Sequence, residues 1–221
     1  TYAMDGNQDW FIGVGQIKGR RIFFNKLLSV TGGHFGVDTV PEVVVETPVG
    51  RAAFTWTSCD SGFMDWEIGE DMGHLQLIRL TRVLGVSCDP LADDPPPLAN
   101  RSGAWIDEER DAEGYVLEML SESQAVVYYF GWDADGNRRW LIGVGTIADG
   151  KITVSNMLTT SGGRFSDPEN DVLASETPWG TVELDISCED GTAAFDSTED
   201  GFGSGVYNLG RLTYIAGLPC S

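Results

Sequence analysis

Residues 125–147 read Ala-Val-Val-Tyr-Tyr-Phe-Gly-Trp-Asp-Ala-Asp-Gly-Asn-Arg-Arg-Trp-Leu-Ile-Gly-Val-Gly-Thr-Ile. Ala125 to Phe130 is dominated by β-branched and aromatic side chains, which suit a pleated, half-buried strand better than a helix. Asp133 to Asn137 supplies Asp-Gly hairpin chemistry, and Arg139 to Ile147 reads as the return strand. Outward from this hairpin, Lys151 to Leu158 suits a strand with one wet face. Trp179 to Ile186 alternates Val182, Leu184 and Ile186 against Thr181, Glu183 and Asp185, a period of two. Gly205 to Ile215 offers a last strand. No long window holds a 3.6-residue period that Gly or Pro leaves unbroken. The fold class predicted is all-β, with about seven or eight strands in meander order over residues 102–221. Closure into an up-and-down barrel, or a strongly curved sheet, removes exposed edges. A two-sheet sandwich is the alternative.

The same hairpin signature occurs twice. Trp10, Ile12, Gly13, Val14 and Gly15 recur as Trp140, Ile142, Gly143, Val144 and Gly145. Gly32, Gly33 and Phe35 recur as Gly162, Gly163 and Phe165, and Glu46-Thr47-Pro48 as Glu176-Thr177-Pro178. All of these pairs are 130 residues apart, and later matches (Cys59/Cys188, Arg79/Arg211, Cys88/Cys220) shift by only one or two. Ordered self-similarity of this kind marks a tandem repeat. Its division is a first unit at 1–88, a Pro-rich spacer at 89–101 and a second unit at 102–221. Pro95-Pro96-Pro97 favours an extended, semi-rigid spacer.

The second unit opens with Ser102 to Phe130, for which the first has no counterpart. The first unit is therefore expected to lack its opening strands. Three explanations fit: a fragment of a longer protein, a degenerate cap, or a gap filled by a strand from another molecule. Thr1 is not an initiator residue, so a processed or trimmed end is expected there. Gly13, Gly15, Gly143 and Gly145 read as strand glycines at bends or close approaches. They are not a dinucleotide fingerprint, because the third Gly and the following helix are missing.

Four cysteines sit at matching places in the two units. The repeat selects Cys59–Cys88 and Cys188–Cys220 from the three possible pairings. Disulfides imply an oxidising compartment, hence export. Zinc would need Cys-x₂₋₄-Cys or nearby His, and neither is present. The 34 acidic and 14 basic side chains give a net charge of −20. That field repels nucleic acid and anionic membranes and keeps an extracellular protein soluble. No stretch has the ~20 apolar residues of a membrane span.

Motifs for chemistry are scarce. There is no Gly-x-Ser-x-Gly elbow and no His-Glu-x-x-His. His34 and His74 are not repeated and read as surface residues. Glu176 and Arg211, each with a twin in the first unit (Glu46, Arg79), are candidates for a forked ion pair at a barrel end or for gripping a ligand. Asp133, Asp135 and Asn137 resemble the start of a calcium loop, so Ca²⁺ is the candidate ion there. Without a later bidentate Glu, an Asp-Gly turn is the simpler reading. Trp10, Trp140 and Trp66 read as core. Trp132, beside a turn, and Trp179, after Pro178, are candidate sugar-stacking platforms. Glu113, Glu118, Glu176 and Glu183 are the candidates for an acid pair of the kind glycoside hydrolysis uses.

The series Ser102-Gly103-Ala104-Trp105 … Glu113-Gly114-Tyr115 … Trp140-Leu141-Ile142-Gly143-Val144-Gly145 … Glu176-Thr177-Pro178-Trp179-Gly180 … Arg211-Leu212-Thr213 resembles a repeat module of exported Gram-negative bacterial proteins. The resemblance implies export and modularity, and no activity. The function expected is an extracellular, non-enzymatic structural or adhesive module acting by self-association, through strand complementation between copies. A carbohydrate-binding module using exposed Trp and a glycan-active hydrolase are the alternatives.

Overall fold

The computed structural model describes residues 1–3, 5–36, 44–88, 96–110, 112–163, 165 and 174–218. It is all-β, with one 3-10 turn. Five strands form an open antiparallel sheet: β1 (Gln16–Lys18), β2 (Arg21–Thr31), β3 (Val45–Trp56), β4 (Ser61–Ile68) and β5 (Asp71–Ile78). Eight more form a closed barrel: β6 (Gly103–Ile106), β7 (Gly114–Met119), β8 (Gln124–Trp132), β9 (Arg138–Ala148), β10 (Lys151–Ser161), β11 (Ser175–Ile186), β12 (Asp190–Ser197) and β13 (Ser204–Arg211). Every neighbour pair is antiparallel, and β13 closes on β6 through Gly210↔Ile106 and Arg211↔Trp105. The up-and-down barrel is therefore the solution adopted, not the sandwich.

Alternation fills the barrel. Leu117, Val127, Leu141, Ile152, Val154, Leu184 and Ile186 point inward and are at most 2% exposed. The Gly-Val-Gly of β9 is a packing device. A Cβ on Gly143 would stand 2.4 Å from Val154 Cγ1, and one on Gly145 would stand 2.7 Å from Ile152 Cγ2. Any side chain there would collide with β10.

The open sheet repeats β9–β13 in detail. The β2–β3 register slips between Phe24 and Leu27, and the β10–β11 register slips between Val154 and Met157. Each bulge is followed by a glycine pressed against the next strand. A Cβ on Gly50 would lie 2.0 Å from Glu67 O, and on Gly180 2.2 Å from Asp196 O. A bulge bends its strand and tightens the local twist, so both sheets curl alike. What the first unit lacks is a counterpart of β6 to β8; among the described residues β5 pairs only with β4. Ile152, Val154, Met157, Leu184, Ala193, Tyr207 and Leu209 are at most 3% exposed. Their counterparts Ile22, Phe24, Leu27, Phe54, Met64, Leu75 and Leu77 all remain partly exposed.

The spacer departs from expectation at its end. Pro97–Arg101 forms the 3-10 turn, with Pro97 in its first turn, and Ala99 is fully buried. Proline's fixed φ suits the start of such a turn, so consecutive prolines did not enforce extension here. Residues 89–95 lie outside the described residues.

Cys59 and Cys88 are bonded with Cα atoms 5.9 Å apart, 29 residues apart in sequence. Cys188 is also disulfide-bonded, and Cys220 lies outside the described residues. Replacing Cys59 and Cys88 together by Ser is expected to lower unfolding free energy by about 3–4 kcal/mol, through the freed loop in the unfolded chain. Urea midpoints of the oxidised wild type and the double variant measure it.

Candidate functional site

The two units meet through reciprocal contacts at the ends of their sheets. Trp10 Nε1 donates to Gly131 O at 3.2 Å, and its twin Trp140 Nε1 donates to Thr1 O at 3.1 Å. Trp10 packs edge-on against Trp132 at 5.8 Å, and Trp140 edge-on against Tyr2 at 5.9 Å. The second glycine of each Gly-Gly pair lies under the same rings. A Cβ on Gly33 would sit 2.0 Å from Trp132 Nε1, and one on Gly163 2.3 Å from Tyr2 Cε2. Residues a repeat length apart thus exchange roles, as across a two-fold axis.

The exchange delivers an aromatic ring into each neighbour. Phe35, from the loop after β2, enters the mouth of the barrel and is 5% exposed. Its centroid lies 4.6 Å from Phe202, 5.1 Å from Phe195, 6.0 Å from Tyr129 and 6.1 Å from both Trp179 and Tyr207, always edge to face. That geometry matches the ring quadrupoles. Its twin Phe165 reaches Trp66, the counterpart of Phe195, at 4.6 Å.

Polar groups hold the loop in place. Phe35 N donates to Asp133 O at 3.1 Å. Arg110, between β6 and β7, donates to Gly36 O and to His34 O, the latter at 3.1 Å. The same guanidinium pairs with Glu113 and lies 5.2 Å over the Tyr207 ring. Glu113 also accepts from Tyr129 OH at 2.6 Å. Burial raises the Glu113 carboxyl above its ordinary value, with the Tyr129 hydrogen bond and Arg110 opposing. A carboxylate this enclosed anchors the arginine clamp.

The residues singled out from sequence are dispersed. Trp132 and Trp179 are each 1% exposed. Neither has a free face for a sugar, because Trp132 seals the contact between units and Trp179 lines the Phe35 socket. Glu176 pairs with Thr160 in the β10–β11 ladder, whereas Arg211 ends β13 beside β6. About ten strand positions, roughly 30 Å, separate their levels in the sheet. No forked pair forms between them. Arg211 instead lies 5.0 Å over Trp105 and donates to the carbonyls of Cys188, Asn100 and Ser102. Asp133 Oδ1 accepts the backbone N–H of Asp135 and of Asn137, and the Asn137 amide donates to the same carboxylate. These N–H bonds to one carboxylate are the hydrogen bonding of an Asp-Gly hairpin turn.

One cleft, about 650 Å³, opens outside the barrel between Asp107–Glu109 and Asp185–Asp190. Among the described residues no three His, Cys, Asp or Glu side chains could share a metal ion. No family model matches the chain, and no curated protein or solved structure is detectably similar to it. The site best defined by geometry is therefore the interlocked contact, together with the open sheet beside it. Sequence comparison held the signal for the plug: Phe35 and Phe165 recur after Gly-Gly. Their crossing into opposite units left no trace in the pattern.

Phe35→Ala is expected to cost about 3–5 kcal/mol, as an emptied aromatic site in a packed core does. Thermal unfolding together with near-ultraviolet circular dichroism reads the loss. Glu113 titrates above its ordinary value when folded, so its contribution to stability is present at low pH and fades as pH rises through that higher value. The stability of wild type relative to Glu113→Gln should accordingly fall from acid toward neutral pH in a series of urea midpoints.

Proposed function

We propose that this protein is an exported, non-enzymatic structural module that works by associating with other copies of itself. The observation that carries this reading is the first unit: it has the bulges and glycines of the barrel's β9–β13, yet among the described residues β5 is the last strand of its sheet, where β13 continues into β6. A free sheet edge presents unpaired backbone donors and acceptors, a ready template for another strand. The exposed apolar side chains support it, since Val14, Ile17, Met72, Ile78 and Leu80 are all at least 75% exposed. The Cys59–Cys88 disulfide supports an oxidising, extracellular setting. The net charge of −20 supports a partner other than nucleic acid.

Light scattering behind size exclusion, from micromolar to millimolar protein, tests the reading. The expected result is a mass that climbs above 24.0 kDa with concentration. A folded species that keeps the single-chain mass throughout that range overturns it.

A further inference from the structure

We infer that the associating surface is the outer edge of β5, and that its partner is β5 of a second copy, antiparallel and centred on Leu75. This rests on the self-association reading above and names the surface and register that it uses.

Edge strands are normally blunted by Lys, Pro or a bulge. Asp71–Ile78 contains neither residue, and its pairing with β4 is unbroken from Ile68↔Asp71 to Ser61↔Ile78. Among the described residues it is an eight-residue edge that pairs with no strand on its outer side. Its exposed face is apolar at both ends, with Met72 76% and Ile78 88% exposed.

The sequence of this strand complements itself when reversed. In an antiparallel pair centred on Leu75, Met72 stands opposite Ile78 of the second copy, and His74 opposite Gln76. On the other face Gly73 meets Leu77, and Asp71 meets Arg79. Two-fold symmetry makes each contact twice, which is the isologous arrangement of a closed dimer. Cross-strand apolar and opposite-charge pairs of this kind each stabilise a sheet. Slipping the centre to His74 sets Met72 against Gln76 and Asp71 against Leu77. Slipping it to Gln76 sets Arg79 against Gly73. Both slips lose the two charge pairs.

Arg79 is suited to this role by comparison with its twin. Arg211 closes the barrel by donating to Asn100 and Ser102 and covering Trp105 on β6. Of the Arg211 side-chain bonds, Arg79 keeps the counterpart of the one to Cys188 O, as Nε to Cys59 O at 2.8 Å, and it lies 3.4 Å from Asp60 with its side chain 38% exposed. It stands at the edge where the barrel's next strand would begin. Pairing through β5 would join two five-stranded sheets into one continuous antiparallel sheet.

Cysteine cross-linking in the full chain tests both the surface and its register. Leu75→Cys should oxidise to a covalent dimer alone, since the central residue faces itself at about 5 Å between Cβ atoms. His74→Cys and Gln76→Cys should cross-link efficiently only when the two variants are mixed. Asp71→Arg should weaken the dimer at least tenfold, and mixing it with Arg79→Asp should restore pairing. Near-ultraviolet circular dichroism checks that each variant keeps the wild-type fold. Dimers by light scattering without a Leu75→Cys cross-link would overturn this surface while leaving self-association standing. A single-chain mass at every concentration would remove both.

Discussion

Each unit borrows an aromatic ring from the other to finish its interior. Phe35 supplies the barrel with the ring around which Phe195, Phe202, Tyr129, Trp179 and Tyr207 are arranged. Phe165 does the reverse for Trp66. Taking such a ring out of water contributes a few kcal/mol, and withdrawing it leaves a cavity that its surroundings fill only in part. The two units are thereby coupled: separating them costs the barrel part of its own core. The Trp10/Trp140 hydrogen bonds and the close-packed Gly33 and Gly163 set the angle at which the loops cross.

That coupling explains how a sheet with unfinished edges can persist. Backbone groups at a free edge must bond to water or to a new strand, and a curled sheet alone covers its inner face poorly. The first unit keeps a partly wet inner face, while the equivalent face of the barrel is dry. It is held by the disulfide between Cys59 and Cys88, by the contacts with the barrel, and by Leu84, whose N–H reaches Met119 O at 2.6 Å. In the second unit the equivalent stretch turns back instead, where Leu212 and Thr213 bond Ala104 at the start of β6. The same residues after the last strand therefore take different partners according to whether β6 is there to receive them.

The polar cluster at the barrel mouth follows from the same constraint. A loop carried into an aromatic socket brings carbonyls that would otherwise be buried without donors. Arg110 answers two of them and is itself neutralised by Glu113. Glu113 in turn accepts from Tyr129, so the clamp is tied to the barrel wall.

Periodicity, turn chemistry and self-comparison were enough for the all-β class, the meander order and the hairpin at Asp133–Asn137. These are local properties: alternation sets which face of a strand is buried, and a repeat conserves spacing. Barrel against sandwich was beyond their reach, because closure depends on β13 meeting β6 across more than a hundred residues. Also beyond reach was the burial of Trp132 and Trp179, which sequence alone left as possible surface platforms. Their surroundings come from the opposite unit or the opposite wall of the barrel, and the exchange of Phe35 and Phe165 is a relation between two folded bodies. A linear pattern marks which residues are alike; only packing in three dimensions decides which of them touch.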